Sequence, residues 1–268
     1  MSTEITDMAQ EKPSNKLKLC LVGPEKNGKS RLAATARKPV LVHDHDNRKE
    51  ALAGIPGVYC ISYSDPMWPK QPEAAQEFLD VISKLEDGAT LRDLGFKNAP
   101  EGLKPRTNVL DSVATCGKNF QRYALYNSAD LRRELTIGPM KIQLPKNFDA
   151  WNAEMTSVEN AVLRLLALPM DTIVILHETQ EEAKDSTAEN PKYTGKVSVY
   201  PPRYKLLLKY FNEVWRVKLT QSVGANNKLA YLPKVYPLPT YEFDGASALA
   251  LQSVEDPDIT KMLAKFGG

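Results

Sequence analysis

Residues 17–34 read LKLCLVGPEKNGKSRLAA, and no other stretch limits the possible folds so tightly. The apolar run at 17–22 has the character of a strand buried on both faces. Residues 23–30 then spell G-x-x-x-x-G-K-S, and a helix is predicted from Arg31 onward. A strand, a glycine-bearing turn and a helix in that order form the context in which this spacing cradles phosphate. Gly23 and Gly28 let the backbone curl until successive N–H groups converge on one anion. The predicted helix would add the partial positive charge of its first turn. Lys29 would reach the terminal phosphates, and the Ser30 hydroxyl would hold Mg²⁺. Gly23, Pro24, Glu25, Lys26, Asn27, Gly28, Lys29, Ser30 and Arg31 together read as a nucleoside-triphosphate site.

The chain has 268 residues, room for one large α/β domain or two small ones. Its formal net charge of +2 excludes a globally basic nucleic-acid binder, so any cationic surface must be local. Cys20, Cys60 and Cys116 are isolated thiols without C-x-x-C spacing, which argues against a disulfide scaffold or a zinc ribbon and suits a reducing compartment. With no apolar leader and no apolar run of membrane-spanning length, a soluble cytoplasmic protein is expected, with no membrane partner.

Residues 1–15 are polar and patternless and are expected to form a flexible tail. One main domain is expected at 16–240, and an extension with a short helix, residues 256–266, at 241–268. Strands are predicted at 39–42, running into His43-Asp44-His45-Asp46, and at 57–63, 107–111 and 171–176. Helical spacing appears at 74–85 and at 151–166, the latter with Asp149 as N-cap, and a short helix at 203–211. Residues 214–219 and 228–236 read as a β-hairpin. Residues 112–148 carry Lys118, Arg122, Arg132, Arg133, Lys141 and Lys146 among aromatic residues, without a clear element, and residues 179–200 read as a long mobile loop. Strands alternating with helices imply an α/β fold: a mostly parallel, doubly wound sheet with helices on both faces and an antiparallel hairpin at its C-terminal edge. Ligands of such sheets bind beyond the carboxyl ends of the strands.

Three strand ends carry candidate chemistry. Asp111 ends the 107–111 strand, where a carboxylate can orient Mg²⁺. Alternation puts His43 and His45 on one side and Asp44 and Asp46 on the other, and either aspartate is a candidate to polarise water. With His177 the only other histidine, a histidine-rich dinuclear metal site is excluded. His177 itself ends the 171–176 strand, where a polar side chain can report on a terminal phosphate.

These residues resemble a family. G-P-E-K-N-G-K-S is similar to the RecA-type loop G-P-E-x-x-G-K-[ST], including Pro24 and Glu25, and the acidic second strand, the strand ending in Asp111 and the polar fifth-strand end follow in RecA-like order. The compact size resembles the RecA/AAA-type nucleotide-binding proteins of bacteriophages, some of which support single-strand annealing recombination. The resemblance implies a RecA-like P-loop ATPase domain at 16–240, binding ATP and Mg²⁺ through Lys29, Ser30 and Asp111, and located in a bacterial host cytoplasm. Asp46 falls in place of the family's catalytic glutamate and is one methylene shorter; His177 falls where a polar sensor such as glutamine is usual. The resemblance also implies self-association into an oligomer or filament, with a basic residue acting in trans; Arg216, Lys218, Lys228 and Lys234 are available. Single-stranded DNA would meet the segments after the fourth and fifth strands, with Arg122, Tyr123, Lys192, Tyr193, Lys196 and Arg203 as contact candidates. The competing expectation is a nucleotide-dependent switch or loader that docks a helicase or a single-strand-binding protein. A small-molecule kinase is disfavoured, because residues 179–200 hold no arginine for a lid.

Overall fold

The computed structural model describes residues 16–65, 70–137, 140–183, 187, 193–223, 229–249 and 251–265; the expected N-terminal tail, Lys192 and Lys228 lie outside them. In chain order the elements are β1 (Lys18–Gly23), α1 (Lys29–Ala33), β2 (Val40–Asp44), β3 (Val58–Ser62), α2 (Ala74–Glu86), β4 (Thr107–Asp111) and α3 (Val113–Asn127). They continue as β5 (Arg132–Ile137), β6 (Met140–Pro145), α4 (Phe148–Ala167), β7 (Asp171–Glu182), β8 (Tyr193–Tyr200), β9 (Glu213–Val223), β10 (Leu229–Tyr236), β11 (Ala246–Ser247) and α5 (Ile259–Ala264).

The main sheet runs β10-β9-β1-β7-β4-β2-β3. The pairs from β9 to β3 along this path are parallel, and β10 returns antiparallel on β9 at the edge, as the C-terminal hairpin was expected to do. One strand, β7, separates β1 from β4. β11 pairs with β9, and Ile259 and Met262 of α5 join the core, so the C-terminal extension is built onto the same sheet.

Alternation along the strands sorts the core into two layers. Cys20, Val22, Leu41, Leu110, Val174 and Leu176 face α2, α3 and α4. Leu19, Leu21, Val40, Val42, Val109, Ile173 and Ile175 face α1 and α5. By the same alternation Asp44, Asp111 and His177 are on the α1 side of the strand ends.

Two expectations need correction, and two segments are defined more closely. The helix after the loop is only five residues long. The Thr35 hydroxyl caps the Leu32 carbonyl at 2.6 Å and takes the Ile259 N–H at 2.9 Å, so the turn ends where α5 docks. The N-cap of α4 is Asn147, whose side chain accepts from the Ala150 N–H; Asp149 is in the first turn. Residues 179–200 are not a loop throughout, because β7 continues to Glu182 and pairs antiparallel with β8. Residues 112–148, unreadable in sequence, form α3 and the β5–β6 hairpin, a separate two-stranded sheet.

A buried carboxylate locks the helical layer. Glu154 of α4 is buried and accepts from Arg203 at 2.5 Å, from Gln121 at 2.9 Å and from the Tyr204 hydroxyl. A side chain at Gly117 would collide with that hydroxyl, so α3 approaches closely only because residue 117 has none.

Candidate nucleotide site

Residues 23–30 connect β1 to α1 at the carboxyl end of the sheet. Gly28 sits at φ +90°, a left-handed conformation that favours glycine, and Lys26 at φ 58° also turns the chain left-handed. A Cβ on Gly23 would stand 2.3 Å from the Val217 carbonyl oxygen. The loop is therefore shaped partly by β9. Asn27 completes that seat: buried between exposed Lys26 and Gly28, it donates from Nδ2 to the same Val217 carbonyl. Gly28 in turn lies against Pro233 of β10. With α1 so short, anion binding would fall to the loop N–H groups and Lys29, and the helix-terminal charge would add little.

Lys29 is buried. Its ammonium donates to the carbonyls of Gly23 at 2.8 Å and Pro24 at 2.5 Å and to Asn27 Oδ1 at 3.2 Å. Burial pushes its pKa down to about 8, and Asp111, Glu178, Asp46 and Glu25 pull the other way. Ser30 donates to Asp111 Oδ2 at 2.5 Å. Burial pushes the Asp111 carboxyl up to about 6; the Ser30 hydrogen bond opposes the rise, and Asp46 and Asp44 add to it. A divalent cation between Ser30 and Asp111 would relieve that crowding of negative charge.

Asp44 and Asp46 have different surroundings. Asp44 Oδ2 accepts from the Arg48 N–H at 2.8 Å and from Ser62, shaping the turn after β2. Asp46 Oδ1 accepts from Ser112 at 3.0 Å and Thr115 at 2.5 Å, both at the start of α3, and its Oδ2 is 3.7 Å from His177 Nε2. Burial would raise the Asp46 carboxyl, but His177, Thr115 and Ser112 outweigh it and hold the group below the usual carboxylate range. The structure thus gathers Lys29, Ser30, Asp111, Asp46 and His177 at one end of the sheet. His43 and His45 turn instead into the aromatic core, packed on Tyr63 and Phe78.

One residue at this end, Glu178, was not singled out in the sequence, and Arg216 was only one of four candidates for action in trans. Glu178, next to His177, binds Arg216 of β9 bidentately at 2.8 and 2.9 Å. Their one sequence signal is a charged pair, His177-Glu178, ending an otherwise apolar strand. Arg216 also donates to Glu242, Lys218 pairs with Glu242 at 3.0 Å and Lys234 with Asp256 at 2.5 Å. The described candidates for action in trans are therefore ion-paired within their own chain.

The DNA-contact candidates spread over α3, β8 and the turn before β9. Arg122 is exposed on α3, and Tyr123 donates to Gln76 at 3.2 Å. Tyr193 and Lys196 are exposed on β8. Arg203 ion-pairs with Glu154 and covers the Trp151 ring at 4.9 Å.

The residues fit a triphosphate with Mg²⁺. Ser30 and Asp111 offer hard oxygens, and no group of three or more histidine, cysteine or acidic side chains suited to a metal exists among the described residues. Mg²⁺ is commonly held in this way, by one or two protein oxygens plus the ligand's phosphates. A glycine-shaped phosphate loop on a mostly parallel sheet, with β7 between the loop strand and the Asp111 strand, defines a P-loop nucleoside triphosphatase fold. A family model described as an AAA domain matches residues 15–236. The chain belongs to this AAA-domain family of P-loop ATPases. No curated protein matches it. Among the described residues no helix is long and apolar enough to cross a membrane.

Proposed function

We propose that this protein binds and hydrolyses ATP with Mg²⁺ while acting on single-stranded DNA as an oligomer, in recombination or replication of the bacteriophage type. The observation that carries the reading is the path through α3. Its N-cap residue Ser112 and Thr115 of its first turn hold Asp46 at the carboxyl end of the sheet. Its far end leads into the β5–β6 hairpin, and residues 112–148 hold six lysines and arginines against two acidic residues in a chain whose net charge is only +2. A local surplus of positive charge beside the nucleotide site suits a polyanionic partner.

In this reading the loop N–H groups and Lys29 bind the phosphates, and Ser30 and Asp111 hold Mg²⁺. The bound cation would supply charge neutralisation at the phosphate oxygens. Asp46, engaged by two hydroxyl donors and held strongly acidic, is a weak base that orients water better than it removes a proton, so slow basal turnover is expected. His177 holds Asp46 from the β7 side and transmits a change at the phosphates to the β7–β8 hairpin. Fluorescence anisotropy of a labelled oligothymidylate tests the proposal: ATP with Mg²⁺ should tighten binding to wild type but not to Lys29→Ala. Absence of binding even at low salt would contradict the DNA role.

A further inference from the structure

The apolar stripe of α4 runs past the core it serves. Val158, Val162, Leu165 and Leu166 are buried, but at the N-terminal end of the same helix Phe148 is 76% exposed and Trp151 38% exposed. Residues three apart are neighbours on a helix surface, so the two rings form one ridge. The Arg203 guanidinium lies over the Trp151 ring while its own charge is engaged by Glu154, which stiffens the indole and leaves part of it open. No core packing accounts for two large rings here.

The segment that leads into them is basic. The Lys146 N–H donates to the Leu131 carbonyl at 2.9 Å, and Arg133 stands opposite Leu144 across the β5–β6 ladder. The root of the basic hairpin therefore leads into the start of α4, with Arg133 and Lys146 exposed at that root and Asp149 and Glu134 as the nearby acids in sequence. Rigid aromatic faces flanked by lysine and arginine are the combination that holds unpaired bases and their backbone together.

We propose that Phe148 and Trp151, backed by Arg203, are a stacking platform for the bases of a single-stranded nucleic acid whose phosphates are led in by Arg133 and Lys146. This rests on the DNA reading above and adds to it the surface where bases are held. None of the sequence-derived contact candidates except Arg203 belongs to this surface, and Arg203 acts through the indole.

Intrinsic fluorescence of the full-length protein, titrated with oligothymidylate, is the test. With the third tryptophan removed by Trp68→Phe, quenching is expected and its loss when Trp151→Ala is added; Trp215, with 0% exposure, cannot report contact. Phe148→Ala and Trp151→Ala should each weaken binding about tenfold, and Trp151→Phe should recover most of it, because any aromatic face stacks. Arg133→Ala should instead lower the salt dependence by about 0.7 of a unit slope. Phe148 is exposed enough to be truncated without cost to the core, so its variant keeps the test valid if Trp151→Ala fails to fold. Wild type that binds no oligonucleotide overturns the DNA reading itself. Wild-type binding that Phe148→Ala leaves unchanged overturns the platform, as does a Phe148→Ala effect on self-association alone, which would make the ridge a contact between copies or with a protein.

Discussion

Lys29 sits in a pocket of its own loop's oxygens, where two carbonyls and an amide oxygen accept from its ammonium. The partners lie within eight consecutive residues, and the G-x-x-x-x-G-K-S spacing announced the glycine-shaped loop that holds them, though not the lysine's bonds back to it. The histidines of the second strand show the opposite regime, since their chemistry depends on what packs over them. Burial pushes His43 down to about 4, opposed by Asn108, and burial together with His43 pushes His45 down to about 3, opposed by Asp46. An unfolded histidine titrates near 6.5, so between these values the unfolded chain binds more protons than the folded one. Stability is then fully present above about pH 6.5 and is lost as pH falls toward the folded-state values. His45→Gln should make the acid limb of the melting-temperature profile shallower, by on the order of 2–4 kcal/mol between neutral pH and pH 4. Parallel profiles for variant and wild type would refute this.

Elements hold the site through contacts that no local pattern announces. The β9–β10 hairpin seats the phosphate loop through Asn27 and the Val217 carbonyl, so Asn27→Ala should weaken ATP analogue binding about tenfold by stranding a buried acceptor and loosening Lys29. Equal affinities in equilibrium binding would refute the seat. Glu154→Ala leaves Arg203, Gln121 and Tyr204 without their shared acceptor and should cost about 3–5 kcal/mol in urea unfolding. A loss under about 1 kcal/mol would mean that α3 and α4 are held by apolar packing alone. The Ala74–Glu86 helix was legible in the sequence because it buries one regular face, and the Thr107–Asp111 strand, buried on both faces, because it is a short run ending in a carboxylate. The β7–β8 ribbon was not, since its outer part is largely exposed and polar alternation leaves no apolar signature. The early end of α1 was equally hidden, because Thr35 is bonded by α5 from more than two hundred residues away. Glu178 with Arg216, and Asp46 with Thr115, are also long-range pairs, visible in sequence only as charges at strand ends.

At the scale of the whole molecule, the parallel sheet brings the ends of β1, β2, β4 and β7 to one site, and α3 leads from that site to a hairpin module with a local surplus of lysine and arginine. Nucleotide and a polyanion bound at opposite ends of α3 should therefore influence each other, and linkage makes any coupling between the two binding free energies reciprocal. Asp46→Ala, which removes the acceptor for Ser112 and Thr115, should abolish the tightening of oligothymidylate binding by ATP while leaving binding without ATP within about twofold, measured by anisotropy. Retained tightening would mean that α3 is not the path. The central claim is tested most directly by the rate of ATP hydrolysis with Mg²⁺, with and without single-stranded DNA, in wild type and Lys29→Ala. A slow wild-type rate that DNA raises at least severalfold, and that Lys29→Ala eliminates, is the predicted result; turnover indifferent to DNA would contradict the account and point to a nucleotide-dependent switch or loader.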